Sequence, residues 1–159
     1  MTLNGYHHDT FSIGRTLGDC HVIEHDIELV DNAKGVVEPL RRRPLAHKEE
    51  AAKQVKQMLD TGIIEPSNSA RVAVFVLVKK EDGSIRKCVD FRKRDGQAEK
   101  NLYPLPNLED CIGSLAGNRL ALNLASGYWQ VRVAEGAREL TAFRTEEGVS
   151  YFRRLPLGL

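Results

Sequence analysis

Apolar positions change their period several times along the chain, and each change predicts an element. In "HKEEAAKQVKQMLDTG" (47–62), Ala51, Ala52, Val55, Met58 and Leu59 recur at i, i+1, i+4, i+7 and i+8. That is one face of a 3.6-residue period, an amphipathic helix. Glu49 and Lys53 form an i,i+4 pair in the favourable order, Glu49 and Glu50 suit the positive end of the helix dipole, and Gly62 supplies the stop. The period then shortens. "VAVFVLVKKEDGSIRKCVDF" (72–91) holds a β-branched run from Val72 to Val78, an Asp82-Gly83 turn and a second run from Ile85 to Phe91, the pattern of a hairpin. The first run is apolar at consecutive positions, so both of its faces are expected to be covered.

Weaker patterns flank these two. "HVIEHDIELV" (21–30) alternates well enough for one strand, and "IIEPSNSA" (63–70) is a turn-rich connection. "RKRDGQAEKNLYPLP" (92–106) is a polar loop closed by two prolines. "NLEDCIGSLAG" (107–117) predicts a short helix with Asn107 as N-cap and Gly117 as stop. "RLALNL" (119–124) is a short strand, and "ASGYWQV" (125–131) a turn leading into an aromatic-led segment. "EGARELTAFRT" (135–145) is a helical turn running into a strand, "EEG" a turn, and "VSYFRRL" (149–155) a returning strand. Hairpins interleaved with helices predict an α+β fold with a mostly antiparallel sheet and packed helices. "LPLGL" (155–159) reads as a helix entry without its helix, as expected of a fragment of a larger domain.

Charge divides the chain more sharply than hydropathy does. The net charge is only +1, yet residues 1–40 hold two basic and seven acidic side chains while 41–159 are net basic. We therefore expect an acidic, poorly structured leader or linker over 1–40 and a folded body over 41–159. A mildly basic body is compatible with nucleic acid and equally with a solvated surface of mixed charge. No apolar run approaches the ~20 residues that span a bilayer, so no membrane partner is expected. Cys20, Cys88 and Cys111 are widely spaced and odd in number, which points to a reducing intracellular compartment, cytoplasm or nucleus, rather than to a disulfide framework.

Two places have candidate chemistry. The hairpin tip gathers Lys79, Lys80, Arg86 and Lys87, with Arg92, Lys93 and Arg94 just beyond. Such a tip can grip a polyphosphate, or it can be a charged, soluble tip that discourages edge pairing. The second is Asn123, a polar residue ending an apolar strand. A carboxylate there, beside a turn of backbone amides, would suit Mg²⁺ and phosphate; an asparagine is neutral and is also a common turn residue. Tyr128 and Trp129 are adjacent, so in a strand they face opposite ways. Either both pack in the core, or one packs while the other meets a base or sugar. His7, His8, His21, His25 and His47 show no ligand spacing with the cysteines, and Asp90 is placed for an ion pair with Arg86 or Arg92.

From about Val22 to Leu159 the chain resembles the N-terminal part of a reverse transcriptase of gypsy-type LTR retrotransposons. The resemblance lies in "GIIEPSNS" (62–69), "VLVKKEDGSIRKCVDFRK" (76–93), "YPLP" (103–106), "LASGYWQV" (124–131), "TAF" (141–143) and "LPLGL" (155–159), in family order. It implies the fingers and incomplete palm of a right-hand polymerase that copies RNA into DNA with two Mg²⁺ ions. The implied partners are an RNA/DNA template-primer and a dNTP. By position, Arg86 and Lys80 would contact the incoming triphosphate, Leu124 and Ala125 would lend backbone groups near metal and phosphates, and Tyr128 would sit beneath the sugar and screen against a 2′-hydroxyl. The departures are equally specific. Asn123 stands where the family has a metal-binding aspartate, and the preceding strand is shortened. Arg94 and Asp95 replace the family's Leu and Asn. The aromatic-x-Asp-Asp hairpin, the remaining palm, RNase H and integrase regions of the Pol polyprotein are absent. The expectation is a reverse transcriptase fragment that is catalytically inactive as this chain. The alternative is a degenerate, non-catalytic remnant with at most weak nucleic-acid binding, and an unrelated α+β binding domain is the third reading.

Overall fold

A computed structural model describes residues 17–40, 45–79, 81, 83, 85–99, 107–117 and 126–159; at 45, 46, 79, 86 and 87 it describes the backbone alone. The expected helix is α1, Leu45–Asp60. Its predicted stripe is the buried face at Ala51, Val55 and Met58, with Leu59 at the margin. Gly62 ends it for a specific reason. It takes φ +66, its N–H reaches Leu59 O at 3.0 Å, and the next N–H, of Ile63, reaches Met58 O at 2.9 Å. These are the two bonds of a Schellman cap, and the buried Met58 and Ile63 are its hydrophobic contact. The chain therefore leaves the helix directly into strand β2, Ile64–Pro66.

The hairpin forms as its pattern requires. Strands β3 (Ala73–Lys79) and β4 (Ile85–Asp90) pair antiparallel from Val74↔Asp90 to Lys79↔Ile85. Val74 and Phe75, which point to opposite faces, are both buried, whereas Val78 near the tip is exposed. The cover on both sides thus exists at the base of the hairpin and runs out toward its turn. A short helix α2, Arg92–Asp95, follows at once. Helix α3, Leu108–Ser114, has Asn107 as its N-cap, accepting the Glu109 N–H at 3.3 Å. The "RLALNL" strand lies outside the described residues.

The segment after it departs from the sequence pattern. Gly127–Gln130 is a helical turn, α4, not the start of a strand. Strand β5 is Val131–Val133, followed by a 3-10 helix over Glu135–Thr141, then β6 (Phe143–Arg144) and β7 (Val149–Phe152). The main sheet has the order β2-β7-β6-β3-β4. Three of its pairings are antiparallel, and the fourth, β3 with β6, is parallel. That parallel joint fuses two antiparallel units into one sheet. Phe143 sits at it, with its ring 5.6 Å from that of Phe75 and 4.9 Å from that of Phe152.

The leader needs a correction. Over its described part, 17–40, it is structured and docked. Strand β1, Cys20–His25, pairs parallel with β5, Leu29 bridges Ala98, and Val37 bridges Val72. Backbone hydrogen bonding explains this. The Val72 N–H and C=O are both taken by the leader, through Val36 O at 2.8 Å and Glu38 N–H at 2.9 Å, groups that burial would otherwise leave unpaired. An acidic composition did not prevent docking because the body supplies cations: Glu38, buried, is paired with Lys93 at 2.8 Å.

Candidate nucleic-acid interface

The hairpin carries the first group of candidates. Register places Arg86 opposite Val78, one pair inward from the Lys79↔Ile85 pair that closes the ladder. Gly83 in the turn has φ +80, which the Asp-Gly pattern anticipates. Lys80 lies outside the described residues, and Arg86 is described by its backbone. The three cations beyond β4 behave differently from expectation. Arg92 forks onto Asp90, Nε at 2.8 Å and Nη2 at 2.6 Å. Lys93 is held by Glu38. Arg94 donates to Asp95 at 2.5 Å and to Leu140 O at 3.2 Å, and its guanidinium lies 4.1 Å from the centre of the Phe91 ring. Each of the three is engaged by a carboxylate within the fold.

The second group surrounds Tyr128. Asn123, Leu124 and Ala125 lie outside the described residues. Ser126 follows in the left-handed region at φ 52, the only described non-glycine residue to do so, a conformation that is costly for a residue with a Cβ. It leads into α4, whose first turn is closed by Trp129 N–H to Ser126 O at 2.9 Å. In a helical turn, adjacent side chains point about 100° apart rather than opposite. Trp129 packs against the main core, and Tyr128 stands 56% exposed. One aromatic packed and the other presented was one of the two readings of the sequence. The device that achieves it is a strained turn and not strand alternation.

Other conspicuous residues are structural ties that pattern alone did not expose. Glu65 of β2 accepts from Tyr151 at 2.7 Å and pairs with Arg153 at 3.0 Å. Ser67 and Ser69 donate to Glu139 of the 3-10 helix, to its carboxylate at 2.9 Å and its backbone carbonyl at 3.0 Å. Thr141, fully buried, ties that helix to β7. Asp19 in the leader is held by Arg132 and Arg154. Arg132 keeps the Asp19 carboxyl well below the usual carboxylate range, with Arg154 adding to the effect against the cost of burial. His25 is pushed below its ordinary value, first by burial and then by Arg94. The one signal for these ties in the sequence is that Glu65, Ser67, Ser69 and Thr141 sit inside the recurring motifs.

A cleft of about 540 Å³ opens between the leader and α2, lined by His25, Asp26, Glu28, Arg94, Glu99 and Leu159 among others. Its carboxylates outnumber its cations, so it does not suit a phosphate. Among the described residues no group of three His, Cys, Asp or Glu side chains converges to hold a metal ion. No described helix is long and apolar enough to cross a membrane.

No protein-family model matches the chain. The enzymatic polyprotein of cauliflower mosaic virus (strain Strasbourg) is 31% identical over 140 residues, covering 84% of this chain and 20% of the relative. The retrovirus-related Pol polyprotein from transposon 297 of Drosophila melanogaster is 30% identical over 168 residues, 99% of this chain and 15% of the relative. The Tf2-3 transposon polyprotein of Schizosaccharomyces pombe is 29% identical over 141 residues, 86% of this chain and 10% of the relative. The chain thus spans a fifth or less of the length of these curated relatives. Among solved structures, the prototype foamy virus protease-reverse transcriptase matches with a TM-score of 0.74 at 20% identity, over 90% of this chain and 19% of that one. The foamy viral protease-reverse transcriptase in complex with an RNA/DNA hybrid matches with a TM-score of 0.72 at 18% identity, over 90% of this chain and 19% of that one.

Proposed function

Because this chain is homologous to one stretch of the retroelement Pol polyproteins and has the fold of a reverse transcriptase segment, we propose that it is the fingers and first part of the palm of an RNA-directed DNA polymerase of gypsy type, over residues 41–159, and that it does not catalyse DNA synthesis as it stands. The partners of the intact polymerase in this reading are an RNA/DNA template-primer and a dNTP. The exposed Tyr128 beside the half-buried, core-packed Trp129 is the observation that carries the reading, because it is a presented aromatic within the motif "LASGYWQV".

The roles follow from chemistry. Arg86 offers a fork of donors to the incoming triphosphate, and Lys80 a point charge from the same hairpin. The register, which holds Arg86 one pair inside the closing pair, supports this. Leu124 and Ala125 lend backbone groups to the phosphates. Tyr128 sits beneath the sugar and disfavours a 2′-hydroxyl. In the intact polymerase, bound Mg²⁺ would supply Lewis-acid activation of the primer hydroxyl and charge stabilisation for the leaving pyrophosphate. Asn123 cannot supply the charge of the aspartate that the family has at this position. Loss of one electrostatic contributor costs on the order of 10²–10³ in rate.

The test is primer extension by the purified chain with Mg²⁺, a primed RNA template and dNTPs. No extension is expected, and robust Mg²⁺-dependent extension overturns the inactive reading. Binding is tested separately. Lys80→Ala with Arg86→Ala should weaken template-primer or dNTP binding and flatten its salt dependence. Unchanged affinity returns the hairpin to a solvated tip.

A further inference from the structure

Two arginines are held side by side by the sheet. Arg132 of β5 and Arg154 face each other across an isolated antiparallel bridge. The backbone around them is closed by Val133 N–H to Arg153 O and Leu155 N–H to Val131 O, both at 2.9 Å. Like charges directly opposite each other are destabilising, so the pair calls for an anion. Asp19 supplies it from 113 residues upstream of Arg132. Its Oδ1 accepts from Arg132 Nε at 3.0 Å and from Arg154 Nη1 at 2.5 Å, and its Oδ2 accepts from Arg132 Nη2. His21 lies 3.9 Å from the same carboxylate, and Glu24 stands opposite Arg132 in the β1–β5 register.

The two halves of this contact differ in how firmly they are held. The guanidiniums ride on two body segments tied to each other by those backbone bonds, with the neighbouring Val133 fully buried. The carboxylate rides on the leader, whose β1 leaves Val22 94% and Ile23 64% exposed. The pairing of β1 with β5 is also irregular between Cys20 and Glu24. Little apolar burial fastens this segment, so the ion pair is a large share of its hold. Two guanidiniums converging on one oxyanion accept phosphate as well as carboxylate, because both anions match the planar fork of donors.

We propose that Arg132 and Arg154 form an oxyanion site on the sheet, that Asp19 fills it in cis, and that a phosphate group competes for it and releases β1 as a strap. The ligand chemistry is a phosphate oxyanion, from the polyphosphate of a nucleotide or from a nucleic-acid backbone. The proposal does not depend on the roles assigned to Arg86, Lys80 or Tyr128.

Hydrogen exchange of amides 20–25 in the full chain tests it. Three additions are compared: sodium triphosphate, a single-stranded oligonucleotide, and NaCl at matched ionic strength. Exchange is expected to rise severalfold with triphosphate or oligonucleotide beyond the NaCl effect, and whichever acts identifies the source of the phosphate. Asp19→Asn is expected to exchange fast without ligand and to bind triphosphate or oligonucleotide about tenfold more tightly, since the internal competitor is gone; Arg154→Gln should abolish the response. The proposal fails if neither phosphate ligand exceeds NaCl, or if Asp19→Asn exchanges like the parent chain. The ligand comparison on the unsubstituted chain needs no variant to fold.

Discussion

Thr141 offers the sharpest check of how the sheet is held. Its side chain is fully buried. The hydroxyl accepts the Phe152 N–H at 2.8 Å and donates to Arg138 O at 2.7 Å. Phe152 belongs to β7 and stands opposite Ile64 of β2, while the flanking Arg153 N–H bonds Ile63 O. The Phe152 N–H therefore points away from β2, and the Thr141 hydroxyl is its partner. Thr141→Val keeps the shape and removes the hydroxyl. It leaves a buried N–H unpaired and a carbonyl short of a donor, at a cost of about 2 kcal/mol within a range of roughly 1–3. Thr141→Ser keeps both bonds and removes one methyl group, at a cost of about 1 kcal/mol. For a chain of this size each kcal/mol lowers Tm by about 2–4 °C. Urea and thermal unfolding of the three proteins should thus rank them Thr, Ser, Val in falling stability. If the valine variant matches or exceeds the serine variant, the hydroxyl is not the lock described here.

Three further outcomes are expected. Gly62→Ala should destabilise by about 1 kcal/mol in urea unfolding, because an L-residue is strained at positive φ; with nothing within 4 Å of an added Cβ, a loss well beyond that would indicate a different cause. Phe143→Ala, which empties the joint between β3 and β6, should cost roughly 3–5 kcal/mol, and a loss below 1 kcal/mol would mean that the ring cluster is not the centre of the core. Tyr151 should ionise above the ordinary 10.0 because Glu65 binds its neutral hydroxyl, with burial adding to the shift, so spectrophotometric titration of Glu65→Gln should show its pKa falling back toward 10.0.

Local elements were legible because local physics decides them. A 3.6-residue apolar stripe, two β-branched runs close enough to pair as a hairpin, Asn107 as a cap and Gly62 as a stop each act within a few residues, and the structure has all four. The candidate site was legible only as motif positions: of its residues, Tyr128 alone has a described side chain, and the left-handed Ser126 just before its helical turn was not legible at all. Long-range pairings were not legible. The parallel joint of β3 with β6, the docking of the leader on β5, and the capture of Asp19 by Arg132 and Arg154 join residues dozens of positions apart. Periodicity says which face of a strand is apolar but not which strand will lie beside it. The sequence by itself determined α1, the β3–β4 hairpin, α3 and the family the chain resembles. The tertiary structure alone decided which charges are spent inside the fold and which aromatic faces outward, because those outcomes depend on what each side chain meets across space.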